Sequence, residues 1–101
     1  VCDINPVKIE NIKNGTKNKE VAYFDDYIAM LDSGLCDASL VETPHYQHPE
    51  IVMECLKRGL HVICDKPAGV YTKQVREMNE VAKQSNAHFA MLFNQRIKAR
   101  F

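Results

Sequence analysis

Residues 49–67 read PEIVMECLKRGLHVICDKP and place a helical pattern directly before a strand pattern. The apolar side chains of one helical stripe are Ile51, Val52, Cys55 and Leu56. Gly59 is a typical helix stop, and the apolar run 61–64 predicts a strand. A helix that leads straight into a buried strand is the repeating unit of an α/β fold.

The same alternation continues on both sides of this segment. Strands are predicted at residues 1–3, 21–24, 38–41, 61–64 and 88–93. Helices are predicted from an Asn5 cap to Gly15, from Asp25 or Asp26 to Gly34, over 49–58, and from a Thr72 cap to about Asn86. We expect strand 38–41 to be covered on both faces. Five strands separated by helices predict an open α/β fold with a parallel, doubly wound sheet.

Length and charge exclude several classes of function. The chain has 101 residues, with 13 basic and 13 acidic side chains and a formal net charge of zero. No bulk charge draws it to nucleic acid or to an anionic membrane, so neither is expected as a partner. No segment approaches the roughly 20 apolar residues that span a bilayer.

The four cysteines, Cys2, Cys36, Cys55 and Cys64, have no close paired spacing and follow no secretory segment. We interpret them as reduced and buried thiols, which are typical of a cytoplasmic protein. A zinc site using Cys64 with His61, or His45 with His48, is a weaker alternative. It lacks the repeated ligand pairs of structural zinc sites.

Polar residues follow the predicted strands at their carboxyl ends, where open α/β sheets bind ligands. They are Asp3, Thr43 with Pro44, Asp65 with Lys66 and Pro67, and Asn94 with Gln95 and Arg96. Each alone is also an ordinary turn residue. Their shared placement at one end of the sheet favours a binding site.

Lys66 is the sharpest single feature. An ammonium group at a strand end can stabilise the alkoxide that develops as a hydride leaves the neighbouring carbon. Pro67 would hold the lysine in a fixed turn, and a cis peptide bond is one way to do so. The alternative is a solvated Lys-Pro turn.

Asp3 and His48 are the other candidates that the residues themselves suggest. Asp3 can accept hydrogen bonds from two ribose hydroxyls, or it can act as a second cap for the helix that follows. Ile4 and Asn5 come next, so no basic residue directly follows to hold a 2′-phosphate, which favours NAD over NADP. His48 can act as a proton shuttle or form a wall of the crevice.

Three segments together resemble the Gfo/Idh/MocA family of nicotinamide-dependent oxidoreductases. They are TPHYQH at 43–48, GLHVICDKP at 59–67 and FNQR at 93–96. The resemblance covers essentially the whole chain. It implies a Rossmann-type domain in an NAD-dependent dehydrogenase, with NADP as the alternative cofactor. The implied substrate is a sugar, polyol or related hydroxy compound that gives up a hydride from its carbinol carbon.

The resemblance also assigns roles to single residues. Lys66 is similar to the family's catalytic lysine, and Asp3 to its adenosine-ribose ligand. Thr43, Pro44, His48, Asp65, Lys66 and Asn94 are similar to residues at the cofactor. Two positions depart from the family pattern: Asp65 stands in place of a glutamate, one methylene longer, and Glu42 in place of a small or apolar residue.

The resemblance implies that parts of the family's architecture are absent. Its first strand and glycine-rich turn should precede Val1, so residues 1–93 are expected to be an incomplete NAD(P)-binding domain. Residues 94–101 are expected to begin a C-terminal α/β substrate domain. We therefore expect a fragment, inactive by itself, of an enzyme that forms a homo-oligomer. The alternatives are a non-catalytic dinucleotide-binding sensor or regulator, and an inactive fragment that self-associates through its sheet edges.

Overall fold

The computed structural model describes residues 1–99; the last two residues of the predicted 94–101 segment lie outside the described residues. The chain divides into two compact units, Val1–Cys36 and Asp37–Phe101. None of the helices within residues 1–99 has the length and apolar character that a membrane crossing requires.

The first unit contains two helices whose starts are set by side-chain caps. They are α1 (Pro6–Gly15) and α2 (Tyr27–Asp32). The Val7 amide donates to Asn5 Oδ1 at 2.9 Å, which satisfies one of the unpaired donors at the start of α1. Asp26 caps α2 in the same way, accepting from the amides of Ile28 and Ala29. Both predicted helices and the Asn5 cap are therefore confirmed.

The strands predicted at residues 1–3 and 21–24 are wrong as full strands. These segments share one isolated parallel bridge, between Cys2 and Phe24. Its hydrogen bonds run from the Phe24 amide to the Val1 carbonyl, 2.9 Å, and from the Asp3 amide to the Phe24 carbonyl, 3.2 Å. Pairing extends no further because the Asn5 and Asp26 caps turn both segments into helices.

The second unit is built on a parallel sheet. Its elements are β1 (Ala38–Val41), a 3₁₀ turn (His45–Gln47), α3 (His48–Lys57), β2 (His61–Asp65), α4 (Thr72–Gln84), β3 (Phe89–Leu92) and a second 3₁₀ turn (Asn94–Ile97). The strand order is β1-β2-β3, with both pairings parallel. Each helix is the crossover that a parallel pair requires. The predicted α/β class and parallel sheet are confirmed.

One face of the sheet holds the core of this unit. Val62 and Cys64 on β2 are 2% and 0% exposed, and α3 packs against β1, β2 and α4. On the other face Leu40 and Ile63 are 57% and 47% exposed. The expectation that strand 38–41 is covered on both faces is wrong, because residues along β1 alternate between the covered and the exposed face.

Two smaller predictions also change. Thr72 is the first residue of α4 and not its cap; Tyr71 precedes the helix in an extended conformation and makes no side-chain cap bond. All four cysteines lie within the described residues and carry no disulfide. Cys55 and Cys64 are buried as predicted, whereas Cys2 and Cys36 are only half-buried.

Burial makes the Cys64 thiol a source of alkaline sensitivity. It raises the pKa of this thiol from its ordinary value of 9.0 to about 11, and the nearby Asp65 carboxylate adds to the shift. The folded protein holds the proton more tightly than the unfolded chain does. The resulting stability is therefore complete below pH 9.0 and is lost as the pH rises towards about 11.

We expect the melting temperature of Cys64→Ala to fall less steeply with rising pH than that of the wild type. The melting temperature is measured in steps from neutral pH to about pH 11. Cys36→Ala, at a half-buried position, is the control and should keep the wild-type slope. Equal slopes for wild type and Cys64→Ala would contradict the assignment.

Candidate functional site

The parallel register brings the ends of three strands to one edge of the sheet. Val41 pairs with Cys64, and Cys64 pairs with Met91, so the strands end at nearly the same level. Thr43, Lys66 and Asn94 are each the first or second residue beyond those ends. The structure therefore brings together the strand-end residues of this unit that the sequence singled out.

Lys66 leaves this edge directly after β2. Its side chain is exposed, and its amide donates to Asp65 Oδ1 at 2.8 Å. That bond holds the half-buried Asp65 carboxylate against the backbone at the point where the loop begins. The following peptide bond, Lys66–Pro67, is cis, the form considered for it from the sequence.

The loop beyond Lys66 lies close against the helices because Gly69 has no side chain. A Cβ at Gly69 would stand 2.7 Å from Pro49 Cγ and 3.0 Å from Val75 Cγ2. Pro49 belongs to the first turn of α3 and Val75 to α4. The close approach thus fixes the distance of the lysine-bearing loop from both helices.

His48 joins two of the strand-end loops. It is the first residue of α3, and its side chain is 1% exposed. Nδ1 lies 2.7 Å from the Pro67 carbonyl oxygen and Nε2 lies 2.7 Å from the Thr43 carbonyl oxygen. The hydrogen bonds of this imidazole are thus with backbone carbonyls, and its contact with a cofactor stays a prediction.

Thr43 and Pro44 form the loop after β1. The hydroxyl of Thr43 is buried and has no hydrogen-bond partner among the described residues. A buried polar group without a partner is uncommon in a folded protein. Pro44 is exposed and accepts, through its carbonyl, from the Gln47 amide at 2.9 Å. Glu42, the departure noted before Thr43, is exposed.

Asn94 opens the 3₁₀ turn after β3, and its side chain is exposed. Next to it, the Arg96 guanidinium lies over the Phe93 ring, 4.5 Å from the ring centroid. This cation–π contact joins two residues of the turn that carries Asn94.

Asp3 belongs to the first unit and is half-buried. Its Oδ1 accepts from the Asn5 amide at 2.8 Å, as a capping residue would, and its Oδ2 lies 3.8 Å from Lys8 Nζ. Lys8 was missed by sequence reasoning, which considered only the residues directly after Asp3. The signal was available: the Asn5-Pro6 start places Lys8 in the first turn of α1.

This ion pair bears on the preference for NAD over NADP, which rested on there being no basic residue directly after Asp3. A cation does stand beside Asp3, on an exposed side chain where an ion pair contributes only about 0–1 kcal/mol. Because Lys8 stands beside Asp3, the sequence argument against a 2′-phosphate does not hold.

His61 and His88 lie at the opposite edge of the sheet, where β2 and β3 begin. Their rings stack with centroids 5.1 Å apart, and the His88 amide donates to His61 Nδ1 at 2.9 Å. These contacts tie the starts of two strands together. Within the described residues, no group of three or more His, Cys, Asp or Glu side chains is arranged to hold a metal ion.

Comparison with known proteins gives a family match over most of the chain. Residues 1–93 match the family model named GFO_IDH_MocA, described as an oxidoreductase family with an NAD-binding Rossmann fold.

Individual proteins and solved structures are also similar to the chain. It is 33% identical over 75 residues to the rhizopine catabolism protein MocA of Rhizobium meliloti, a match that covers 74% of the chain and 22% of that protein. It is 31% identical over 96 residues to D-glucoside 3-dehydrogenase of Escherichia coli (strain K12), covering 95% of the chain and 27% of that protein. Among solved structures, myo-inositol 2-dehydrogenase from Lactobacillus plantarum superposes with a TM-score of 0.86 at 30% identity, covering 97% of the chain and 29% of that structure. The chain thus spans about a quarter of the length of these relatives.

Gly69→Ala should destabilise the protein by about 1–3 kcal/mol, because the added methyl group pushes the loop away from the Pro49 ring. Chemical unfolding of the protein measures the change. Gly15→Ala is the matched control: nothing lies within 4 Å of a Cβ there, and alanine favours the helix end, so no loss of stability is expected. Equal effects of the two substitutions would show that the close approach at Gly69 is unimportant.

Thr43→Val should raise the stability of the ligand-free protein by about 1 kcal/mol, because it removes a buried hydroxyl that has no partner. Thr43→Ser keeps the hydroxyl and should show no gain. Thermal unfolding without added ligand tests both variants, and a lower melting temperature for Thr43→Val than for Thr43→Ser would contradict the expectation.

Proposed function

The chain belongs to the Gfo/Idh/MocA oxidoreductase family, and from this membership we propose that its protein transfers a hydride between NAD and a carbinol carbon of a small hydroxy compound. A sugar, a polyol or a related compound is the proposed substrate. The names of two relatives, a D-glucoside 3-dehydrogenase and a myo-inositol 2-dehydrogenase, support this substrate class.

The exposed ammonium group of Lys66 at the carboxyl end of β2 is the observation that carries the proposal. It stands at the edge where open α/β sheets bind their ligands, between the loops that carry Thr43 and Asn94. The bond from its amide to Asp65 and the close approach at Gly69 hold the backbone from which it extends.

The residues present include donors and acceptors that suit parts of NAD. The Asp3 carboxylate suits a pair of ribose hydroxyls, and the exposed Asn94 amide suits polar groups of the cofactor. The Thr43 hydroxyl lacks a partner among the described residues, and such a group is readily paired by a bound ligand. Pro44, Asp65 and Lys66 are the further residues proposed to contact the cofactor, whereas a cofactor contact of His48 stays a prediction because both of its ring nitrogens are bonded to backbone carbonyls.

Lys66 is the proposed catalytic residue. When bound, NAD supplies the hydride acceptor, a chemistry that amino-acid side chains lack. The Lys66 ammonium group donates a hydrogen bond to the substrate hydroxyl and stabilises the negative charge that develops on its oxygen. It also makes the hydroxyl more acidic towards a base, which we place outside residues 1–101.

Further parts of the proposal concern the whole protein. We propose that residues 1–93 belong to the cofactor domain and that 94–101 begin a substrate domain. A homo-oligomer and a cytoplasmic location are proposed as well. The location is supported by four cysteines that carry no disulfide.

In the whole protein, Lys66→Ala should lower the turnover number by about 10²–10³-fold and change the affinity for NAD far less, because the ammonium group acts on charge that develops in the transition state. Lys73→Ala, an exposed lysine in the first turn of α4, is the control and should leave both quantities unchanged. Steady-state kinetics and calorimetric titration with NAD measure them.

Turnover that is unchanged in Lys66→Ala would remove this lysine from catalysis. NAD binding by the wild type without turnover of any sugar or polyol would instead favour the sensor or regulator alternative.

A further inference from the structure

His48 faces two hydrogen-bond acceptors. Its two ring nitrogens each lie 2.7 Å from a backbone carbonyl oxygen, one of Pro67 and one of Thr43. A carbonyl oxygen can only accept a hydrogen bond, so both bonds require an N–H on the ring. A neutral imidazole has one N–H and one lone pair, and only the imidazolium form donates twice.

The alternative ring orientation does not remove this requirement. Turning the imidazole over would put ring carbons where the nitrogens are, at 2.7 Å from the carbonyl oxygens. Weak C–H···O contacts have carbon–oxygen distances of about 3.3–3.6 Å, so carbon atoms do not fit there. The side chain is 1% exposed, so solvent cannot take the place of either carbonyl.

We propose that His48 is held as an imidazolium that binds the loops after β1 and β2 together and thereby positions Lys66. The positioning part rests on the function proposed for Lys66, and the charge state stands on the geometry alone. His48 acts through the backbone of Pro67, the residue after Lys66, and is a positioning residue.

The bridge links parts of the chain that are far apart in sequence. The bond from Nδ1 reaches Pro67 in the loop after β2, 19 residues further along the chain. The bond from Nε2 reaches Thr43 in the loop after β1, five residues earlier. Hydrogen bonds from a charged donor are shorter and stronger than those between neutral groups, in keeping with the 2.7 Å distances.

The surrounding charges and dipoles act on the positive charge proposed for the His48 ring. The dipole of α3 opposes a cation at its first residue, and the two carbonyl dipoles oppose that effect with negative ends directed at the ring. The ring of His45 lies beside it, with the two centroids 5.7 Å apart. The adjoining loops and the first turn of α3 also carry Glu42, Glu50, Asp65 and Lys66.

The charge state is tested by nuclear magnetic resonance of the protein labelled with nitrogen-15 histidine, at about pH 7. His48→Gln identifies the His48 signals by their loss. We expect both His48 ring nitrogens to show the chemical shift and the one-bond hydrogen coupling of a protonated nitrogen. One protonated and one unprotonated ring nitrogen would overturn the proposal, whatever the enzyme's activity.

The positioning part is tested by kinetics of His48→Gln, whose single amide nitrogen cannot donate to both carbonyls in the same way. We expect a turnover number lower by about 10–100-fold with an affinity for NAD within about twofold of wild type, since small displacements of a catalytic group have effects of this size. His88→Gln, at the opposite edge of the sheet, is the matched control and should retain wild-type turnover.

Equal turnover in His48→Gln and wild type would overturn the positioning role. So would a parallel loss of turnover and NAD affinity, which indicates a general structural defect. A whole wild-type protein without dehydrogenase activity would instead defeat the proposed function, and the nitrogen spectrum would still decide the charge of His48.

Discussion

Backbone pairing of β2 with a parallel strand on each side is the constraint on which the second unit depends. Val62 pairs with Ser39 on one side and with Phe89 on the other. Parallel neighbours cannot be joined by a tight turn, so the chain must return through a helix after each strand. The residues that follow each of the three strands consequently lie at the same edge of the sheet. The polar residues that follow the strands therefore lie at one edge because the strands are parallel, and no individual side-chain contact is needed to explain it.

Features decided by local physics could be predicted from the sequence. Asn5 caps a helix with its own side chain. Gly34 and Gly59 follow helices with φ of 73° and 76°, a conformation that glycine adopts without strain. Such signals act over a few residues, so the pattern of helices and the three strands of the sheet were correct. The placement of the strand-end residues followed, since the order of elements alone defines which ends meet.

Features that depend on contacts across the fold could not be predicted. The periodicity of β1 suits a strand, yet nothing in its sequence says that Leu40 remains exposed. The acceptors of His48 are backbone carbonyls 5 and 19 residues away, and backbone carries no sequence signal. The missing partner of the Thr43 hydroxyl is likewise a property of its surroundings. Sequence therefore predicted which residues of the second unit lie at this edge of the sheet, and the structure supplied their hydrogen-bond partners.

The close contact between Gly69 and Pro49 also bears on how this protein can change during evolution. The proline ring occupies the space that any side chain at position 69 would need. Pro49 directly follows His48, and Gly69 lies two residues after Pro67, so the contact adjoins the histidine bridge. A larger residue at 69 is tolerated only if position 49 becomes smaller or the loop moves away from the imidazole. Positions 49 and 69 should therefore vary together among related sequences.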